Sequence, residues 1–304
     1  MMTSASFLQL LDALPRQAVQ QSLAATFREE AQRDRERMAQ ALEQADEPGA
    51  VSLSDAQRGQ NYNLNRYADM LPFNHNRVRL QGKHDYINAS HIALPEQVGR
   101  ARYIATQGPL PHTVGDFWRM VWEQRAPAVV MLARTHEARR KKCEAYWPPA
   151  VGRALNAPGD VSVTLLSEAP LDGCDDVVVR RLELRPRAGP PRTVTQLHFT
   201  AWPDEGVPAS PLPLLALIAE LHRLAAPAPD APVVVHCSAG VGRTGTFIVL
   251  DAAARYFADH ADYPGDLVAD TFRSLRSQRT TMVQMPGQFV FCYHAILFML
   301  ANRR

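Results

Sequence analysis

One stretch, Val233-Val-Val-His-Cys-Ser-Ala-Gly-Val-Gly-Arg-Thr-Gly-Thr-Phe247, constrains this chain more than any other. It opens on a β-branched run, Val233 to Val235, that reads as a fully buried strand. It closes on Thr246 to Leu250, which reads as the start of a buried helix. Between them stand Cys237 and, after five intervening residues, Arg243. Ser238, Ala239, Gly240 and Gly242 are small enough to let the backbone curl, with Val241 between them, so that several N–H groups point inward. Such a nest at a helix N-terminus is an oxyanion site. Its positive field, together with Arg243, favours the thiolate form of Cys237. The planar guanidinium of Arg243 can grip two oxygens of one phosphate, which a lysine does less well. A nucleophile beneath an anion cradle points to attack on phosphorus. The plainer alternative, a core cysteine beside a simple turn, needs neither four small neighbours nor an arginine.

The rest of the chain sets bounds. Its 304 residues are 46% hydrophobic and 21% charged, ordinary for a globular protein and long enough for one large or two ordinary domains. A net charge of +2 makes no electrostatic case for a nucleic-acid partner. Cys143, Cys174, Cys237 and Cys292 are widely spaced, which is neither a disulfide framework nor a zinc ribbon and fits a reducing, cytoplasmic setting. No His/Cys/Asp spacing suggests a metal, and no cofactor is expected. Phe7 to Leu14 is interrupted by Gln9 and Asp12, so it does not read as a signal peptide. Phe289 to Ala301 falls short of the roughly 20 residues that span a bilayer, so no membrane segment is expected.

Ser22 to Gln44 reads as an amphipathic helix, with Leu23, Phe27, Ala31, Met38 and Leu42 near helical spacing and Glu29 and Arg33 as an i,i+4 pair. It is expected to pack on the main domain rather than on a membrane. Tyr103 to Pro109 reads as a strand entering a turn, Thr113 to Glu123 as a helix, and Ala128 to Leu132 as a buried strand. Val161 to Leu166, Val177 to Leu184 and Thr193 to Phe199 alternate as sheet strands do, separated by turns at 153–160 and 169–176. Ser210 reads as an N-cap with Pro211 as the first helical residue, ahead of a stripe of Leu214, Leu217, Ile218, Leu221 and Leu224. Helices are expected over Gly245 to Ala258 and Asp266 to Arg276, and a closing helix from Pro286.

The run His236 to Gly245 resembles the phosphate loop of the tyrosine-specific, cysteine-based protein tyrosine phosphatases, as distinct from the dual-specificity ones. The resemblance covers roughly residues 50 to 304. It implies an α/β fold in which a central twisted mixed sheet is flanked by helices, with a catalytic domain over residues 51–304 and an N-terminal helical extension over residues 1–50. Asn65-Arg-Tyr67-Ala-Asp69 and Asp85-Tyr-Ile-Asn-Ala-Ser90 resemble stretches that surround the substrate in that family. By that resemblance Tyr67 stacks on the phosphotyrosine ring and sets the pocket depth, while Asp69 accepts hydrogen bonds from the substrate backbone. Leu64 replaces the usual lysine. Ala68 replaces a residue that is basic in some relatives, removing one source of preference for acidic peptides.

Trp202-Pro203-Asp204 resembles the movable acid loop. A tyrosine leaving group needs a proton, since phenol has a pKa of about 10, and Asp204 would supply it. The charge of Glu205 beside it is expected to favour the protonated acid. By the same resemblance Glu137 orients Arg243, Lys142 contacts the acid loop, Gln284 positions the hydrolytic water and Gln288 assists. Thr244 is placed to hydrogen-bond the cysteine sulfur, and His236 supports the loop. The backbone from Ser238 to Gly242 would bind the phosphate.

The implied reaction is hydrolysis of phosphotyrosine in proteins through a phosphocysteine, by a monomer. A cysteine protease would need a histidine within reach of Cys237, and His236 faces the other way on its strand. A dual-specificity or phosphoinositide phosphatase usually lacks the Tyr67 stretch. A catalytically dead phosphotyrosine-binding module would lack the cysteine, the arginine or the acid.

Overall fold

The computed structural model describes residues 6–43, 51–82, 84–155, 161–203, 206–226, 228 and 230–302. Two N-terminal helices, α1 (Phe7–Asp12) and α2 (Gln17–Glu43), precede the short helices α3 (Ser54–Gln57) and α4 (Gly59–Tyr62). Strands β1 (Arg77–Arg79), β2 (Tyr86–Ala93) and β3 (Arg102–Thr106) lead to α5 (Val114–Glu123) and β4 (Ala128–Met131). A small hairpin, β5 (His136–Glu137) and β6 (Arg140–Lys141), comes before β7 (Ala154–Leu155), β8 (Val161–Leu171), β9 (Cys174–Pro186) and β10 (Arg192–Phe199). Then come α6 (Leu212–Ala225), β11 (Val233–His236), α7 (Gly242–Asp259), α8 (Leu267–Gln278) and α9 (Pro286–Ala301).

Among the described residues one nine-stranded sheet runs β1-β2-β3-β11-β4-β10-β9-β8-β7. Its centre, β3-β11-β4-β10, is parallel and its two flanks are antiparallel. This is the mixed sheet expected above. The valine run explains why β11 lies at the centre. Val233 and Val235 enter one core cluster and Val234 the other, so the strand is covered on both faces. On one face α5 seats Phe117, Trp118 and Met120, with Trp118 Nε1 donating to the Tyr146 carbonyl at 2.7 Å. The helices after β10 cover the other face, where α7 is buried along most of its length. The C-terminal ends of parallel strands are where such sheets bind ligands, and β11 delivers Cys237 there.

Several elements differ in extent from the sequence reading, each for a local reason. The turn expected over 169–176 narrows to Asp172-Gly173, because Leu171 pairs with Cys174 and Gly173 takes φ 70°. Part of the turn expected over 153–160 lies outside the described residues. Pro211 is the N-cap of α6 rather than its first residue, and Ser210 Oγ accepts the Leu212 N–H at 3.2 Å. The phosphate-loop helix begins at Gly242, three residues early, since the nest itself turns into the first helical turn.

The N-terminal helices dock on the core. Ser6 caps α1 through a box with Gln9, and α1 carries Phe7, fully buried, against the rings of Phe257 and Tyr293 at 5.9 and 6.2 Å. On α2, Phe27 stacks on Phe272 at 5.7 Å. The inward stripe of α2 is Leu23, Phe27, Glu30, Asp34 and Ala41, whereas Leu42, expected inside, is exposed. Arg33 pairs with Glu30 at 3.1 Å, not with the Glu29 that i,i+4 spacing favours, because Glu30 faces inward and holds its carboxylate in a fixed place.

Truncating a fully buried phenylalanine removes its transfer energy and leaves a cavity, a loss of about 3–5 kcal/mol. Phe7→Ala is therefore expected to lower the urea-derived stability of the whole cooperative transition by that order. An unchanged midpoint would mean that α1 unfolds separately.

Candidate active site

A cleft of about 740 Å³ opens at the C-terminal end of β11 and is lined by Tyr67, Asp69, Lys142, Cys237, Arg243 and Gln284, among others. Cys237 lies at its base, 5% exposed. The other cysteines do not share this setting. Burial pushes the Cys143 and Cys292 thiols well above the usual range, and it also raises that of Cys174.

The loop after Cys237 turns its carbonyls away from the cleft, and each has an identifiable partner. The Cys237 carbonyl accepts from His236 Nδ1 at 3.0 Å, and that of Ser238 from the Gly108 N–H at 2.9 Å. Arg279 takes the next two, with Nη2 donating to Ala239 at 3.1 Å and Nε to Gly240 at 3.0 Å. The Val241 carbonyl accepts from Gly245 N–H at 2.8 Å, and that of Gly242 from Thr246 Oγ1 at 3.0 Å. Among the described residues the N–H groups of Ser238, Ala239, Gly240 and Val241 donate to no protein acceptor. Backbone donors left in this way at a helix N-terminus form an anion site.

Gly240 is required for this path. It takes φ 74°, and a Cβ there would lie 2.1 Å from the Thr106 carbonyl oxygen. Gly245 permits a second close approach, since a Cβ would meet the Val283 nitrogen at 2.4 Å.

Arg243 is fixed before any substrate arrives. Its Nη1 and Nη2 donate to the two carboxylate oxygens of Glu137 at 2.6 and 2.8 Å, a fork-to-fork pair. Further bonds run from Nη1 to the Leu132 carbonyl and from Nη2 to the Pro203 carbonyl, both at 3.2 Å. The guanidinium lies 5.9 Å from the centre of the Trp202 ring. Of the stretch read as an acid loop, Gly206 lines the cleft, while Trp202 and Pro203 meet it through Arg243. Asp204 and Glu205 lie outside the described residues.

Tyr67 stands on the wall of the cleft and donates through its hydroxyl to Ser238 Oγ at 2.8 Å, because the Ser238 hydroxyl is committed to the Lys142 carbonyl at 2.9 Å. Asp69 is exposed at the mouth. Lys142 lines the cleft, its backbone N–H held by the Thr135 carbonyl at 2.8 Å. Gln284 is exposed at the rim, while Gln288 is buried and accepts the Met285 N–H at 3.2 Å. Thr244 lies in the first turn of α7, and its buried hydroxyl has no hydrogen-bond partner among the described residues, Cys237 Sγ included. Leu64 is half-buried and packs with the cluster of Phe73 and Tyr86.

His236 points away from the thiol, as strand alternation requires. Its Nε2 meets the Tyr146 hydroxyl at 2.7 Å, and Gln196 Nε2 donates to that same oxygen at 2.6 Å. Burial lowers the His236 pKa to about 4, so the ring is neutral at pH 7: it accepts from Tyr146 and donates to the Cys237 carbonyl. His198, nearby in the same layer, is likewise lowered to about 4 by burial and then by Arg180.

Three positioning groups escaped the sequence reading. Arg279 is fully buried and binds Ser90 Oγ and Asn88 Oδ1 as well as the loop carbonyls. Burial brings its pKa down to about 10, which leaves it charged at neutral pH. Gln107 pins the Tyr67 stretch, accepting the Arg66 N–H and donating to the Leu64 carbonyl, both at 2.8 Å. Arg66 reaches the carbonyls of Gly108 and Pro109 at 2.9 and 2.6 Å. A buried polar residue leaves no periodic signal, so only the bare presence of Arg279 beside the glutamine stretch could have suggested it.

The sequence profile described as "Protein-tyrosine phosphatase" matches residues 61–298. The chain is 39% identical over 247 residues to "Tyrosine-protein phosphatase non-receptor type 13" of Mus musculus, covering 81% of this chain and 10% of that protein. It is 43% identical over 263 residues to "Phosphatidylinositol phosphatase PTPRQ" of Homo sapiens, covering 83% and 11%. The chain thus spans about a tenth of the length of these relatives. The solved catalytic domain of human protein tyrosine phosphatase non-receptor type 18 superposes with a TM-score of 0.83 at 36% identity, covering 96% of this chain and 99% of that one.

Two measurements probe this geometry. Glu137→Gln keeps the shape but loses the charged fork, and is expected to lower kcat/KM about tenfold, since hydrogen bonds to charged groups contribute about 1.5–3 kcal/mol. The two buried imidazoles bind fewer protons folded than unfolded between pH 6.5 and about 4. Their contribution is therefore complete above pH 6.5 and is lost as the pH falls toward 4, on the order of 3 kcal/mol for His236. Urea stability should decline across that window, and His198→Gln should make the decline shallower.

Proposed function

The chain belongs to the protein-tyrosine phosphatase family, and we propose that it hydrolyses phosphotyrosine in proteins through a phosphocysteine intermediate. The observation that carries this reading is one cleft that brings together Cys237, a cradle of unpaired N–H groups, an arginine held by Glu137, and an aromatic wall at Tyr67. We assign the catalytic unit to residues 51–304 and treat residues 1–50 as an extension whose described helices dock on it.

In the first step the Cys237 thiolate attacks phosphorus in line. The sulfur–phosphorus bond forms as the phosphorus–oxygen bond to tyrosine breaks, and Asp204 gives its proton to the departing phenolic oxygen. The loop N–H groups and Arg243 carry the charge on the equatorial oxygens, where preorganised dipoles supply most of the acceleration. Because Nη2 of Arg243 is shared with the Pro203 carbonyl, binding of phosphate to that edge is coupled to the acid loop. In the second step water attacks phosphorus and loses a proton to Asp204. The sulfur–phosphorus bond breaks, its electron pair returns to Cys237, and phosphate leaves. Gln284 orients that water, with Gln288 assisting from the start of α9.

The depth of the cleft supports phosphotyrosine over shorter esters. Tyr67 and the Lys142 segment wall the path to Cys237, a residue only 5% exposed, so a phosphoserine phosphate would stop short of its thiol. The thiols of Cys143, Cys174, Cys237 and Cys292 are all unpaired, which supports a reducing, cytoplasmic site of action. We further propose that the protein works as a monomer in phosphotyrosine signalling.

Phosphate release from matched phosphotyrosine and phosphoserine peptides, and from a phosphatidylinositol phosphate, tests the substrate class. The phosphotyrosine peptide is expected to be turned over at least about 100-fold faster than either alternative. Equal rates on phosphoserine would remove the deep-pocket reading, and preference for the lipid would move the enzyme to another substrate. Cys237→Ser should be inactive in every assay.

A further inference from the structure

The loop that carries Gln284 is strained on both sides of that residue. Thr281 has φ 55° and Val283 φ 54°, left-handed values on β-branched residues. Such values persist only where the surroundings over-determine them, and they cluster at functional sites. Two side chains impose the shape here. Arg276 of α8, 2% exposed, donates Nε to the Met282 carbonyl at 3.0 Å and Nη2 to the Val283 carbonyl at 3.1 Å. Its guanidinium lies beside the stacked rings of Phe27 and Phe272, 5.0 and 4.6 Å from their centres. Asp34 of α2, 3% exposed, accepts the Thr281 N–H at 2.7 Å and the Thr280 hydroxyl at 3.2 Å. Arg37 locks this carboxylate from the helix side, donating Nη1 to Asp34 at 3.1 Å and to the Arg276 carbonyl at 3.0 Å.

The cradle is shaped mainly by other groups. His236, Gly108 and Arg279 hold the carbonyls of Cys237, Ser238, Ala239 and Gly240, and none of them bonds to Asp34. The loop that carries Gln284 touches the cradle through one longer bond, from the Val283 N–H to the Val241 carbonyl at 3.3 Å. Gln284 itself is exposed, so its position follows the backbone of residues 281–283. We propose that Asp34 is a positioning residue for Gln284, through which the N-terminal helix α2 sets the rate of phosphocysteine hydrolysis and not of phosphocysteine formation. The inference rests on the assignment of Gln284 to the water of the second step. Removing the carboxylate releases the Thr281 N–H, lets the loop leave its left-handed conformation, and shifts Gln284. Displacement of a positioning group by about 1 Å can cost up to 100-fold in rate. The chemistry of the step is unchanged: water oxygen bonds to phosphorus, the sulfur keeps the electron pair of the broken bond, and Asp204 takes the proton.

Steady-state kinetics with para-nitrophenyl phosphate, joined to acid-quench trapping of the phosphoenzyme from a ³²P-labelled phosphotyrosine peptide, tests this on the full chain. Asp34→Ala is expected to lower kcat about tenfold while kcat/KM, which reports steps through phosphocysteine formation, stays within about twofold. The trapped phosphoenzyme fraction rises. Asp34→Asn keeps a neutral acceptor for Thr281 and should show the same split at about threefold, which preserves the test if the alanine variant does not fold. Parallel losses in kcat and kcat/KM, without more phosphoenzyme, would overturn the proposal by showing a general structural role. Gln284→Ala serves as the reference. If it accumulates phosphoenzyme and a folded Asp34 variant does not, the link from Asp34 fails. If Gln284→Ala itself leaves kcat and phosphoenzyme unchanged, the assignment of Gln284 fails instead.

Discussion

Everything at this site depends on a backbone loop turned inside out. From Cys237 to Gly242 the carbonyls face the protein and find donors there, which leaves the N–H groups to face the cleft. A peptide dipole cannot be reoriented by itself; holding its oxygen outward is what holds its hydrogen inward. The central donor is Arg279, a buried cation whose four neutral acceptors take the place of a counter-ion. Burying a charge is costly unless its hydrogen bonds are met, and meeting them here fixes the shape of the cradle.

The same logic runs outward from the loop. His236 must be neutral for Nε2 to accept from Tyr146 while Nδ1 donates to the Cys237 carbonyl, and full burial keeps it so. Arg243 is held in its working plane by Glu137, which arrives on the small hairpin of β5 and β6. Gln107 and Arg66 fasten the Tyr67 stretch to the turn after β3, the same turn whose Gly108 N–H supports Ser238. Nucleophile, arginine and aromatic wall are therefore parts of one hydrogen-bonded frame. Its rigidity is what lets a cleft wide enough for a ring reach a thiol that is almost covered.

The N-terminal helices extend that frame to the opposite rim. An amphipathic helix with two acidic residues on its inward face would be unstable on an apolar surface. It is stable here because Glu30 and Asp34 meet Arg37, Arg276 and the Thr281 N–H. The charge on α2 is thus part of its docking, and the loop bearing Gln284 is what it docks upon.

The strand, the nucleophile, the arginine and the closing helices were legible in the residues alone, because a β-branched run, a cluster of small residues and a 3.6-residue stripe are local signals. The roles proposed for Tyr67, Gln284 and Glu137 come only from resemblance, and the buried contacts of Arg279, Gln107 and Asp34 were not legible at all. Hydrophobic periodicity records which face of a helix is apolar, so it misplaced Leu42 and passed over Glu30 and Asp34. The sequence by itself determined what chemistry Cys237 can attempt, since an adjacent nest and an arginine are written within seven residues. Only the tertiary structure decided which groups hold that nest open. Its supporting donors include the distant residues 108, 279 and 283, and a buried hydrogen bond between such residues depends on where the chain returns in space, not on spacing along it.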